Sequence, residues 1–177
     1  MTDLTNIRRM IQVEETQFRA PLSENTMQKI GQGINFINTV QHSEKQFFLN
    51  GKYGNSALNP PLYGVDGMTF FQYDAEIIDV WMFIHTNGTS GTTELDVKRS
   101  TDNGATWNTI FSTTPKILSA AGSWVFMHIG SSFPNIVAPV LTSANVNAGD
   151  ALRLDLIQAQ VGDNVETCGI VIHYRPR

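Results

Sequence analysis

The chain has 177 residues, a formal net charge of −4 and only 16% charged residues, with one cysteine, Cys168. A domain of about 150 residues buries roughly 70% of its unfolded surface, so no disulfide or metal staple is required. The lack of a basic block excludes an electrostatic footprint for nucleic acid, and no apolar run reaches the roughly 18 residues of a membrane span.

Met1-Thr2-Asp3-Leu4 shows no charged region followed by an apolar one, so a cleavable secretory signal is not expected. The expectation is a protein made in the cytosol that stays there or leaves within a larger particle. Leu4, Ile7, Met10 and Ile11 have weak periodicity that fits a short helix or a flexible arm. Pro21-Leu22-Ser23-Glu24 is a helix-start signal, with Ser23 as N-cap and Glu24 adding negative charge in the first turn. Met27, Ile30, Ile34 and Ile37 then recur on one helical face. Gly31 and Gly33 each cost about 1 kcal/mol relative to alanine, so this helix needs packing to persist. Isoleucines at repeating seam positions favour three or more strands, which points to a homotrimer. Residues 1–43 are read as an anchoring or oligomerising arm.

Asn50-Gly51 between Phe47-Phe48 and Tyr53 is a hairpin signal. Pro60-Pro61 marks an extended connector. Residues 44–63 are therefore read as a hairpin and Pro-rich connector, and 64–177 as the main domain. That domain shows short apolar segments at Ile77 to Ile84, Glu94 to Val97, Trp107 to Phe111, Trp124 to Met127, Leu152 to Leu156 and Cys168 to Tyr174. Asn87-Gly88, Asp102-Asn103-Gly104, Gly122, Asn147-Ala148-Gly149-Asp150 and Gly162-Asp163-Asn164 separate them. This pattern predicts a mainly β fold, an antiparallel jelly-roll-like sandwich preceded by the helical arm.

Thr93, Leu95 and Val97 alternate with Glu94, Asp96 and Lys98, as in a half-exposed strand. Two other segments are apolar on both faces. Ile78, Val80, Met82 and Ile84 oppose Ile77, Trp81 and Phe83, while Val125, Met127 and Ile129 oppose Trp124 and Phe126. Such strands need cover on both sides, from the helix, a loop or another subunit. Subunit burial is favoured, which makes Trp81, Phe83, Trp124 and Phe126, with Met27, Ile30, Ile34 and Ile37, the candidate interface.

No catalytic constellation emerges. His42, His85, His128 and His173 lack metal-ligand spacing and read as strand-end or surface residues. A trimer axis gathering one histidine from each chain is the remaining metal option. Asp74, Glu76 and Asp79 could in principle serve acid–base chemistry, but solvated edges and turn contacts are the commoner role. There is no Gly-x-Ser-x-Gly, His-Glu-x-x-His or phosphate loop, and Gly31-Gln32-Gly33 falls on a helix. Cys168 sits in an alternating apolar segment and reads as a buried core thiol. Trp81 and Trp124 read as core or interface and Trp107 as core, with a sugar-stacking platform as the competing reading. The expectation is no enzyme, cofactor or metal.

Ser100-Thr101-Asp102-Asn103-Gly104-Ala105-Thr106-Trp107 with Ile110-Phe111 resembles a segment of tailed-bacteriophage virion proteins. So do Val146 to Leu156 and the closing Ile172-His173-Tyr174-Arg175-Pro176-Arg177. Leu22 to Thr26 with Ile34 to Ile37 resembles attachment arms of phage head-fibre and decoration proteins. Ala148-Gly149-Asp150 before a late apolar strand is similar to trimeric jelly rolls of the tumour-necrosis-factor and C1q type. The resemblance implies a trimeric jelly-roll head held on the virion, in contact with the capsid shell and assembled in the host cytoplasm. It implies a capsid decoration or head-fibre protomer; the alternative is a tail-associated module recognising host-surface carbohydrate. No functional residue carries over.

Overall fold

The computed structural model describes residues 43–54, 60–162 and 165–177, which belong to one unit, Gln41–Arg177. The expected arm helix, with Met27, Ile30, Ile34 and Ile37, lies outside the described residues. Among those residues, helical structure is one 3-10 turn at Ser119–Ala121. The strands, all antiparallel and joined by turns and loops, are β1 (Ser43–Lys52), β2 (Leu62–Phe70), β3 (Ala75–Thr86), β4 (Thr92–Ser100), β5 (Asn108–Thr109), β6 (Phe111–Thr113), β7 (Lys116–Leu118), β8 (Val125–His128), β9 (Ile136–Val137), β10 (Val140–Leu141), β11 (Asn145–Val146), β12 (Ala151–Gln158) and β13 (Glu166–Pro176).

The first sheet runs β1-β13-β3, and the far edge of β3 pairs with β11 at one end and β8 at the other. The second runs β2-β12-β4-β7-β9, with β5 added beside β4. A separate pair joins β6 to β10. Along β1, β2, β3, β4, β7, β8, β12 and β13 the chain changes sheet at every step except β4 to β7. The two sheets share one apolar core. Phe47, Val80, Met82, Met127, Ile170 and Ile172 of the first sheet join Leu95, Val97, Ile117, Leu152, Leu154 and Leu156 of the second.

Three local expectations change. Asn50-Gly51 is not a hairpin turn, because β1 and β2 lie in different sheets. Gly51, at φ 78°, instead sits where the β1–β13 register shifts between Leu49 and Lys52, as a bulge does. The segment expected as hairpin and connector thus supplies a strand and the core residue Phe47. In β3, His173 faces Asp79 but Tyr174 faces Ile77, leaving Ile78 as an extra residue. An inserted residue flips the side-chain phase, so Ile77 joins Val80, Met82 and Ile84 in the core while Ile78 is half-buried. Trp124 precedes β8 with φ 58°, outside the strand it was assigned to.

β4, expected to be half-exposed, buries Thr93, Leu95 and Val97 inward as its alternation predicts, but its outer side is covered too, with Asp96 buried and Glu94 and Lys98 half-buried. Its exit is tied by Asp102. That carboxylate accepts hydrogen bonds from the Ser100 hydroxyl (2.7 Å), the Thr106 amide (2.9 Å) and the Thr106 hydroxyl (2.5 Å). These donors stabilise the ionised form and lower its pKa to about 2. Asn103 and Gly104 take the positive φ angles that the tight turn demands.

Cys168 is buried and free, as its alternating apolar surroundings predict. Burial pushes its thiol up to about 12, and the enclosed Tyr53 hydroxyl is also raised, chiefly by burial. Unfolded cysteine and tyrosine ionise near pH 8.5 and 10. Above those values the unfolded chain releases protons that the folded chain retains, so stability falls as pH rises. The slope is about 1.4 kcal/mol per pH unit for each group between its unfolded and folded pKa. Urea unfolding between pH 8 and 10.5 should show this decline. Cys168→Ala should flatten its first part, and an unchanged slope would show that the thiol is not the group responsible.

Candidate functional site

The two-residue period of the first sheet sends Phe47, Ile170, Met82 and Met127 inward in one cross-strand row. The neighbouring rows face outward. One is Phe48-Gly169-Phe83-Phe126; the next is Gln46-Val171-Trp81-His128. Of the proposed interface residues, Trp81, Phe83 and Phe126 therefore share a single outer surface. Their exposure is uneven: Trp81 38%, Phe126 54% and Trp124 76%, with Phe83 half-buried.

Trp81 is the centre of this surface. Its ring lies nearly parallel to Phe126, with centroids 5.7 Å apart and 9° between planes. It also stacks on His128 at 5.4 Å and meets the edge of His173 at 6.0 Å. Asp79 fixes its orientation by accepting a hydrogen bond from the indole Nε1 at 2.8 Å. The same carboxylate accepts from the amides of Val80 (2.8 Å) and Ile129 (3.2 Å) and lies 3.7 Å from His128 Nδ1. The acid that interrupts the apolar run thus organises the aromatic surface and the exit of β8.

Phe48 and Phe83 pack at 5.7 Å across β13, and glycine makes that possible. A Cβ on Gly169 would lie 2.6 Å from the Phe47 carbonyl oxygen and 2.8 Å from the Phe83 ring. Trp124 stands apart, edge-on to His85 at 4.0 Å, with its amide donating to the His85 carbonyl. Phe83, His85, Trp124, Val125, Phe126 and Thr167 line an open, mostly apolar groove of about 490 Å³.

The second sheet has a different outer surface. Tyr63, Met68 and Phe70 of β2 face Asp155, Arg153 and Ala151 across the register. The Arg153 guanidinium lies 4.6 Å from the Trp107 ring centre and 5.6 Å from that of Tyr63. Trp107 is half-buried and covers a polar group, rather than joining the core. Asp155, completely enclosed, accepts from Gly64 N (2.9 Å) and Arg153 (3.1 Å) and faces Lys98 at 3.8 Å. Neighbouring Asp96 has a raised pKa, first from burial, partly offset by the Thr109 hydroxyl that donates to it.

Among the described residues no group of three or more His, Cys, Asp or Glu could hold a metal ion. What the arrangement offers chemically is flat aromatic area with oriented polar groups beside it. Sequence periodicity located Trp81, Phe83 and Phe126. It missed Phe48, His128 and His173, because which residues become neighbours depends on strand register.

No family model matches the chain, and no curated protein matches it. Among solved structures, the chain is similar to the capsid of Ralstonia phage GP4, with 12% identity, a TM-score of 0.46, and coverage of 78% of this chain and 86% of that one.

Gly169→Val should destabilise the unit by about 1–3 kcal/mol, the usual cost of overpacking, since the obstruction is backbone as well as ring. Urea unfolding measures the loss. A wild-type midpoint would mean that β1 and Phe83 yield without cost.

Proposed function

We propose that this chain is a non-enzymatic structural protomer of a bacteriophage particle, of capsid decoration or head-fibre type. The observation that carries the assembly part is the shared outer surface of Trp81, Phe83 and Phe126, with Trp124 beside it. Contiguous apolar area facing solvent marks an interaction surface, and burying it stabilises by about 25 cal/mol per Å². The sheet-to-sheet wiring supports a jelly roll, the eight-stranded double-sheet arrangement. The virion assignment rests on the resemblance of Ser100 to Trp107, Val146 to Leu156 and the closing segment to phage virion proteins. In this reading the protomers form a homotrimer, residues 1–43 anchor it to the capsid shell, and the β unit is displayed.

The second reading is carbohydrate recognition at the tail, which the exposed Tyr63, sharing the Arg153 guanidinium with Trp107, favours. Against it, one face of the Trp107 ring is already engaged by Arg153.

Antibodies raised against the folded β unit should label purified particles at a regular position on the head. Label confined to the tail tip would favour the recognition reading. Protein found only free in the lysate, never on particles, would overturn the virion assignment.

A further inference from the structure

The sequence holds three Asn-Gly peptides, Asn50-Gly51, Asn87-Gly88 and Asn103-Gly104. Each reads as a turn signal, and each also carries a latent reaction. The glycine amide nitrogen, once it loses its proton to solvent, can attack the asparagine Cγ. Ammonia leaves and a five-membered succinimide forms. Water then opens that ring at either carbonyl, giving aspartate or isoaspartate. Glycine has no side chain to hinder the attack, so the three peptides are nearly equivalent in an unfolded chain. The fold separates them.

Two of the three are held. The Gly88 amide donates to the Gln160 side-chain oxygen at 2.5 Å, while Gln160 Nε2 donates to the Asn87 side-chain oxygen at 2.8 Å. Gly88 is also crowded, since a Cβ there would stand 2.4 Å from the Val161 carbonyl oxygen and 2.7 Å from Val165. The Gly104 amide donates to the Ser100 hydroxyl oxygen at 2.8 Å. That hydroxyl is fixed in turn by donating to Asp102, and Ser100 is buried. A proton engaged in a hydrogen bond is harder to lose, and an anchored amide is harder to move onto Cγ.

Asn50-Gly51 lies in the open. Both residues are exposed, and a Cβ on Gly51 would meet nothing within 4 Å. The β1–β13 ladder breaks at this point. Leu49 faces Cys168 and Lys52 faces Glu166, so Asn50 and Gly51 together lie against Thr167. Such an insertion disrupts the ladder locally.

We infer that Asn50 is a modification site, where this chain converts asparagine to aspartate and isoaspartate ahead of Asn87 and Asn103. The bulge accommodates the product. Isoaspartate lengthens the main chain by one methylene, at the point of β1 where the register already shifts. The reaction also adds a negative charge opposite Thr167, which lines the groove of Phe83, Trp124 and Phe126. The margin of that groove therefore becomes more acidic as the protein ages.

Incubation of the folded, full-length protein at mildly alkaline pH tests this. Trypsin cleavage after Lys45, Lys52, Lys98, Arg99 and Lys116 places the three asparagines in separate peptides. Mass spectrometry of these peptides follows the replacement of each amide by a carboxyl group. Conversion at Asn50 should lead the other two by about tenfold, because freeing each of their glycine amides breaks one hydrogen bond. In urea the three rates should converge. Asn50→Gln, at an exposed position, should remove the acidic species that ion exchange resolves from aged protein. Asn87 or Asn103 converting as fast as Asn50, no conversion at Asn50, or the same ranking in urea would each overturn the inference.

Discussion

The pairing of β13 with β1 on one side and β3 on the other is the constraint on which the rest depends. Its register sets Ile170 and Ile172 against the second sheet, and the same period turns Val171 and His173 outward. Once β13 is placed, the outward positions of its neighbours follow. Trp81 and Phe83 must emerge together on one side, and β8 brings Phe126 and His128 beside them. The shift at Ile78 keeps both ends of the long β3 useful to the core, because Ile77 and Val80 point inward despite their odd spacing.

Buried polar contacts hold the ends of this arrangement. Gln160 is enclosed and nearly saturated. It donates to the Asn87 side chain (2.8 Å) and the Ile117 carbonyl (2.9 Å) and accepts from Gly88 N (2.5 Å). Gly88 allows this approach, since a Cβ there would stand 2.4 Å from the Val161 carbonyl oxygen. A buried amide left without such partners would cost roughly 1–3 kcal/mol, so glycine and glutamine work as a pair. The outer side of the second sheet applies the same rule to charge: Asp155 is enclosed, yet an amide, a guanidinium and an ammonium face it.

These features give the two sheets different outer characters from one common core. The first presents rings oriented by an acid; the second presents cations stacked on rings and standing over buried acids. The Cys168 thiol is sealed within the core.

Much of the fold was legible in the residues alone. Alternating apolar patterns and Asn/Asp/Gly turns specify short antiparallel strands, and the inward set of β4 could be read directly from Thr93, Leu95 and Val97. A strand apolar on both faces places large apolar side chains on its outer side, which is why Trp81, Phe83 and Phe126 could be placed there beforehand. The local pattern misled at Asn50-Gly51 and Ile78. A turn signal and a bulge use the same residue chemistry, and the partner strand decides between them. Tertiary structure alone decided which side chains share a row, that Trp107 covers Arg153, and that Asp79 aims the Trp81 ring. Each is a contact between strands distant in sequence. Local residue patterns specify which face of a strand is apolar, but only long-range pairing specifies what that face meets.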